Sequence, residues 1–302
     1  MENLLPGGQV LCLSLVDFTL ACLCGLVLAG FWIRCGPSMS AETGTSPFRP
    51  SLRWPALVLL FAFSVQFWLL AMAMAGQSAP GAIVQFMPDV ASTHAGRVTV
   101  GMLSLSALLA AAAFFHLRGI AATAQSVISA ALLVVILFFH SALGHAAGEG
   151  DFTRAELLQF LHLMAMALWA GGVFVSAAVV LPFLRDASAP AYTAYLRRLS
   201  TTSVWSASTA ILTGALKGWI AIDAKLGNLA QPGWSRILLT KLFFVCIALG
   251  LGFLHRRKIN DREREWSASE KRILIRTLRL EALCLALVIL FSSWLSSVDP
   301  PA

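Results

Sequence analysis

The stretch at residues 156–184, ELLQFLHLMAMALWAGGVFVSAAVVLPFL, decides the fold of this 302-residue chain. After Glu156 it contains no Asp, Glu, Lys or Arg. A helix needs about 20 mostly apolar residues to cross the hydrocarbon core of a bilayer. The apolar run is continuous and does not alternate with polar residues, so a membrane β-barrel strand is excluded. The stretch therefore predicts a membrane-spanning helix.

Seven similar runs lie outside this stretch, and together they predict an all-α, polytopic membrane bundle of about eight transmembrane helices. The predicted spans are residues 9–33, 54–76, 97–117, 120–146, 156–184, 199–223, 234–255 and 273–298. The chain is 58% hydrophobic and only 12% charged, whereas a soluble domain carries about 25% charged residues. We expect a single transmembrane domain over residues 1–302, with a retained first span and a tight helical hairpin at Arg118-Gly119.

The basic residues predict the orientation of this bundle. One alternate set of loops carries fourteen Lys and Arg residues and the other set carries four. Cytoplasmic loops hold the excess of Lys and Arg in membrane proteins. The more basic loops are therefore expected in the cytoplasm, with both termini outside. The same rule explains the net charge of +7, so we predict no nucleic-acid partner; membrane lipid is the expected surrounding.

Soft side chains gather on the predicted outer side. Six of the eight methionines belong there: Met72, Met74, Met87, Met102, Met164 and Met166. Four of the six histidines share that side: His94, His140, His145 and His162. Thioether and imidazole ligands together suit copper, although methionine also fills irregular gaps in apolar cores. The distribution predicts an outward-facing His/Met metal site.

Spacing refines this prediction. His162 and Met166 are four residues apart and share a helix face, which Trp169 continues. His140 and His145 are five apart, or about 140° around a helix, so they are not expected to bind the same ion. We favour His145 as a ligand and interpret His140 as a hydrogen-bonding neighbour or a packed neutral histidine.

Ionisable residues inside predicted spans are costly and therefore functional candidates. They are Asp17, Lys217, Lys241 and Glu281. Both lysines alternatively extend their ammonium groups to the outer surface, and Asp17 either pairs with a lysine or relays a proton. Two further histidines, His116 and His255, lie at the basic ends of spans and are expected to reach lipid headgroups or water.

Small residues predict where helices approach closely. Gly171-Gly172 follow Trp169, and Gly214 and Gly218 form a GxxxG pattern; such positions allow close helix packing in membranes. The six cysteines do not form a disulfide framework, since five of them fall inside apolar runs.

Several segments resemble the CopD family of copper resistance proteins. FLHL at 160–163 and LWAGG at 168–172 are similar to the family's His-leading, Trp-x-Gly-Gly span, and GHA at 144–146 precedes them. RLS at 198–200 resembles the family's Arg-Phe-Ser, and WSRILLTK at 234–241 resembles its Tyr-Gly…Leu-x-Lys segment with Trp-Ser in place of Tyr-Gly. The resemblance is strongest over residues 140–302, and residues 1–139 add four N-terminal spans.

The resemblance implies a protein of the bacterial inner membrane that handles copper and is not an enzyme. It implies copper ion as the substrate and a separate, CopC-like periplasmic copper carrier as the partner. Two alternatives remain open on the residues: a membrane haem protein or electron carrier with histidine axial ligands, and an assembly factor that delivers copper to a respiratory enzyme.

Overall fold

A computed structural model of the chain describes residues 4–35, 52–76, 80–115, 122–143, 153–186, 188–221, 232–260 and 266–298. Over these residues the regular secondary structure is entirely helical. The helices are α1 (Leu4–Cys35), α2 (Arg53–Ala75), α3 (Pro80–Ser92), α4 (His94–Phe114), α5 (Ala122–Ser141), α6 (Arg154–Val175), α7 (Ala189–Ala221), α8 (Pro232–Asn260) and α9 (Ala268–Leu295).

Six of these helices are long and apolar enough to cross a membrane: α1, α2, α4, α5, α6 with its continuation to Phe183, and α8. The prediction of an all-helical, multi-pass membrane protein is therefore confirmed. α7 and α9 are 33 and 28 residues long, and they pack along α6 and α8 respectively. The short helix α3 was not predicted and lies in the loop after the second span. The expected hairpin at Arg118-Gly119 lies outside the described residues.

Helices α1 and α6 form the centre of the bundle, and they pack against each other more extensively than any other pair. One face of α1, including Leu20 and Leu23, joins an apolar cluster with α2, α4 and α5, which we call the N-terminal cluster. Leu26 and Ile33 on another face join the C-terminal cluster, built with α6 to α9. Both halves of the bundle are therefore organised around the same helix.

Glycine allows α1 and α6 to meet backbone to backbone. A Cβ added at Gly171 would overlap the carbonyl oxygen of Ala21, and a Cβ at Gly25 would overlap the carbonyl oxygen of Gly171. Close approach at Gly171 is thus confirmed. The same expectation for the GxxxG pattern is wrong, because Gly218 faces open space and Gly214 faces the ring of His162 instead of another helix backbone.

A π-helical turn, Ser176–Val180, interrupts the continuation of α6. Pro182 has no N–H to donate to the preceding turn, and its ring crowds the carbonyl four residues earlier, so a regular α-helix cannot continue through it. The Leu181 N–H reaches the carbonyl of Ser176. Neighbouring helices hold this turn: the hydroxyls of Ser176 and Tyr195 are 2.7 Å apart, and Arg279 Nε lies 3.4 Å from the carbonyl oxygen of Ala177.

Basic side chains anchor one end of the bundle, which we call the basic end. Arg198 donates to the carbonyl of Trp32 at 2.7 Å, which ties α7 to the last turn of α1. Lys271 donates to the carbonyl of Arg185 at 2.8 Å, and its ammonium lies 4.7 Å from the ring centre of Tyr192. Because α1 and α8 end here while α2, α7 and α9 begin here, the helices alternate in direction.

Candidate functional site

Polar side chains from five helices meet in the half of the bundle away from the basic end. Asp17 on α1 and His140 on α5 are in contact. Asp17 also attracts the ammonium groups of Lys217 on α7 and Lys241 on α8. Both lysines in turn act electrostatically on His162 on α6. We call these five residues the polar cluster. All five were predicted as candidates, and the fold brings them together.

The Asp17–His140 pair leaves one histidine nitrogen available. His140 Nε2 lies 2.8 Å from Asp17 Oδ1, and the two residues are 5% and 21% exposed. An ionised carboxylate only accepts hydrogen bonds, so Nε2 carries the proton of a neutral imidazole. His140 Nδ1 is buried and has no hydrogen-bond partner among the described residues. Its lone pair is therefore free to bind a ligand.

His162 has the same arrangement with the nitrogens exchanged. Its Nδ1 lies 3.1 Å from the carbonyl oxygen of Ala210 and 3.0 Å from Thr213 Oγ1. The Thr213 hydroxyl donates its proton to the carbonyl of Thr209 at 2.7 Å, so it accepts from the imidazole. Both partners place the proton on Nδ1. No described residue hydrogen-bonds to Nε2, whose lone pair is left available.

Gly214 makes room for this imidazole. A Cβ at position 214 would lie 3.1 Å from His162 Cε1. The ring therefore packs against the α7 backbone, beside the Ala210 carbonyl that orients it. The absence of a side chain at Gly214 therefore leaves the space that the His162 ring occupies. The GxxxG pattern alone did not indicate this role.

Lys217 and Lys241 place positive charge near His162. Lys217 donates a hydrogen bond to the side-chain oxygen of Gln159, one turn before His162 on α6. This contact ties α7 to α6, and the alternative that Lys217 extends to the outer surface stays a prediction. Asp17 attracts Lys241 as well. Two ammonium groups thus share one carboxylate, and a cation bound at His162 would feel their repulsion.

The methionines occupy several places and do not form one cluster. Met164 packs against the N-terminal cluster and Met166 against the C-terminal cluster. Met102 is completely buried within the N-terminal cluster. Met72 and the half-exposed Met74 end α2, and Met72 packs near α3, which carries Met87. Their role as ligands stays a prediction.

Two other histidines were predicted as ligands, and they are not members of the polar cluster as defined above. His94 is the first residue of α4, where Thr93 caps the helix. His145 falls in a part of the chain that the structure does not describe. Within the described ranges, no three His, Cys, Asp or Glu side chains are arranged to hold a metal ion. No observation favours the haem alternative.

A second polar pair lies toward the basic end. His255 Nδ1 on α8 is 3.0 Å from Glu281 Oε2 on α9, and His255 Nε2 is 2.8 Å from Thr277 Oγ1. The two residues are only 8% and 2% exposed. The expectation that His255 reaches headgroups or water is therefore wrong. Thr277 and Glu281 are four residues apart and share one face of α9. This spacing was the signal in the sequence that α9 carries polar partners for a residue such as His255.

This pair borders a cavity of about 220 Å³ between α6, α7, α8 and α9. Trp169 lines the cavity and is 3% exposed. His162, Met166 and Trp169 follow one face of α6, as their spacing predicted. That face therefore leads from the polar cluster to the cavity.

Two comparisons relate this chain to known proteins. Residues 193–295 match the family model described as copper resistance protein D, CopD. The chain is also 28% identical over 162 residues to the copper transport protein CutJ of Bacillus subtilis (strain 168). That match covers 52% of this chain but only 28% of the relative's length.

The family match spans most of α7 and all of α8 and α9, and so includes Thr213, Lys217 and Lys241 of the candidate site, as well as His255 and Glu281. It agrees with the resemblance seen in the sequence over the same helices. The C-terminal helices of this chain, α7 to α9, are thus similar to the CopD family of copper resistance proteins.

Proposed function

We propose that this protein takes up copper from the periplasm at the polar cluster and moves it into or across the bacterial inner membrane. Copper is the substrate in this proposal, and the protein is not an enzyme. The observation that carries it is the state of the two histidines. Each has one nitrogen held by a hydrogen-bond partner and the other left with a free lone pair, which is how proteins orient metal-binding imidazoles.

The orientation in the membrane follows from the basic end. Positive loops face the cytoplasm, so the basic end is cytoplasmic and the polar cluster lies in the periplasmic half. In this arrangement all eight long helices span the bilayer as one transmembrane domain, α7 and α9 included, and both termini are periplasmic. The end carrying Met74, Met87 and His94 then faces the periplasm, where a CopC-like carrier would deliver copper.

The lysines give the site a property that transport requires. An ion must bind well enough to enter a pathway and weakly enough to leave it. Lys217 and Lys241 oppose a bound cation, while the imidazole of His162 and the carboxylate of Asp17 favour it. Met166 and Trp169 continue the same face of α6, and we propose that the ion passes along them toward the cavity.

Two glycines on α7 provide a matched test. Purified wild-type protein in lipid vesicles is expected to take up copper. The Gly214→Ala variant is expected to bind copper more weakly, because the added methyl group displaces His162. Disturbing the surroundings of a metal-binding histidine costs about 10-fold to 100-fold in affinity, and we expect the lower end. Copper affinity measured by competition with a chromogenic chelator gives the comparison.

Gly218→Ala is the control, because a Cβ there meets nothing within 4 Å. It is expected to bind and transport copper like the wild type. Equal losses in both variants, or none in Gly214→Ala, would contradict a site at His162.

A further inference from the structure

The cavity between α6, α7, α8 and α9 opens sideways, toward the surroundings of the bundle. Val204 and Ile211 on α7 and Phe253 on α8 line it, and within the described part of the chain they are 40%, 46% and 65% exposed. On the opposite wall, Trp169 and Glu281 are only 3% and 2% exposed. The cavity therefore has a buried inner wall and an open outer side between α7 and α8, which we call the lateral groove.

Small residues leave the space for the lateral groove. Ser203 and Ala207 on α7 and Ala248 and Gly252 on α8 line it, and these four have little or no side chain to fill the gap. Packed protein leaves few voids larger than a water molecule, and voids with apolar walls stay dry. The cavity measures about 220 Å³ and its lining is mostly apolar. The groove is therefore suited to an apolar occupant from outside the chain.

The length of the lateral groove matches a lipid chain in one leaflet. On α8 its lining extends from Ala248 to Arg256, which at a rise of about 1.5 Å per residue is about 12 Å. Half of the hydrocarbon core of a bilayer is about 15 Å thick. Arg256 lies toward the basic end, since α8 ends at Asn260. An acyl chain of the leaflet at the basic end therefore has the length and direction to lie along the groove.

A positive charge lies where the headgroup of such a lipid would be. Arg256 lines the groove and is partly exposed, and Arg257 and Lys258 beside it are exposed. Glu281, which also lines the cavity, is directed to His255 at 3.0 Å. Basic pockets between membrane helices bind anionic headgroups, and a guanidinium matches the geometry of a phosphate. A lipid with net negative charge is favoured over a zwitterionic one, whose amine cancels the phosphate charge.

We propose that an anionic phospholipid binds in the lateral groove, with its phosphate at Arg256 and one acyl chain between α7 and α8. The acyl chain covers Val204, Ile211 and Phe253 and forms the outer wall of the cavity. The cavity that copper is proposed to enter is then closed toward the bilayer. The binding rests on the arrangement proposed above, in which α7 and α8 both span the membrane, and it does not depend on copper.

The headgroup contact is tested by native mass spectrometry of the full chain. The protein is purified in detergent and mixed with equal amounts of phosphatidylglycerol and phosphatidylcholine that carry the same acyl chains. The wild type is expected to retain one phosphatidylglycerol in preference to phosphatidylcholine. One basic residue near an anionic lipid changes the affinity by about 5-fold, so Arg256→Gln is expected to lose about that factor of preference.

Arg257→Gln is the matched control. It removes the same charge from the neighbouring residue of α8, whose side chain is exposed and is not part of the groove lining. This variant is expected to retain phosphatidylglycerol like the wild type. Equal retention of the two lipids by the wild type would overturn the proposal. Equal losses in Arg256→Gln and Arg257→Gln would also overturn it, because they would indicate a general attraction to the basic end.

A second pair of variants tests the position of the acyl chain. Ala207 is 6% exposed and lines the groove, so Ala207→Phe places a ring there and is expected to reduce the retained phosphatidylglycerol several-fold. Leu212 is 63% exposed and is not part of the lining, so Leu212→Phe is expected to retain the wild-type amount. The same retention in both variants would show that the chain does not lie in the groove.

The same spectra reveal whether a second copy of the protein covers the groove instead. A wild-type dimer without retained lipid, which Ala207→Phe converts to a monomer, would overturn the lipid proposal. All of these measurements are made without copper. Failure of copper uptake in vesicles would therefore contradict the proposed function and leave the result on lipid binding unchanged.

Discussion

Replacing Gly171 with alanine is expected to destabilise the bundle strongly. The new Cβ would overlap the carbonyl oxygen of Ala21 on α1. Backbone atoms cannot rotate away as a side chain can, so α1 and α6 must separate. Both apolar clusters include α1 and lose contacts if it shifts. Overpacking a core costs about 1–3 kcal/mol and occasionally more, and we expect the upper end.

The measurement is the fraction of protein that remains monodisperse in detergent after heating, determined by fluorescence-detected size-exclusion chromatography. The neighbouring glycine is the control. At Gly172 a Cβ would meet only Leu199 Cδ1, at 3.4 Å, which is ordinary contact. Gly172→Ala is therefore expected to melt near the wild type. If the two alanine variants melt together, the backbone contact does not support the fold in the way described.

His162→Gln is expected to produce the largest loss of copper binding. Glutamine can still donate to the Ala210 carbonyl and fill the space beside Gly214, but it has no imidazole lone pair to offer at the position of Nε2. Losing a partner that orients a metal-binding histidine already costs about 10-fold to 100-fold, so loss of the histidine itself should exceed that range. Chelator competition on the purified protein measures the change.

Two threonines on α7 distinguish the loss of the contact with His162 from the general effect of replacing a threonine with valine. Thr213 contacts His162 Nδ1, and Thr213→Val is expected to weaken copper binding to a smaller extent than His162→Gln. Thr209→Val is the control, because the Thr209 hydroxyl is exposed and, among the described residues, donates to the carbonyl of Trp205 at 2.9 Å and does not contact His162. Unchanged copper affinity in His162→Gln, with normal thermal stability, would remove His162 from the proposed site.

The long helices and most members of the polar cluster could be predicted from sequence for one physical reason. A bilayer makes every polar or charged side chain in a span costly, so Asp17, Lys217 and Lys241 stand out against their apolar neighbours. Helical spacing then placed His162 and Met166 on one face. These inferences use only neighbours along the chain, and they required no knowledge of which helices touch.

The pairings could not be predicted in the same way. Asp17 and His140 are 123 residues apart, and their contact depends on how α1 packs against α5. The role of Gly214 depends on the position of α7 beside α6, so the GxxxG pattern was interpreted incorrectly as a helix contact. His255 was expected to reach lipid headgroups or water because it ends an apolar run, yet the packing of α9 covers it.

The sequence by itself determined that this chain is a helical membrane protein, because hydrophobicity and local spacing follow directly from the order of residues, and it showed the resemblance of the C-terminal part to the CopD family. Only the tertiary structure decided which polar groups become partners. Hydrogen bonds act over about 3 Å, so the free nitrogens of His140 and His162 and the contact between His255 and Glu281 exist only once the helices have packed.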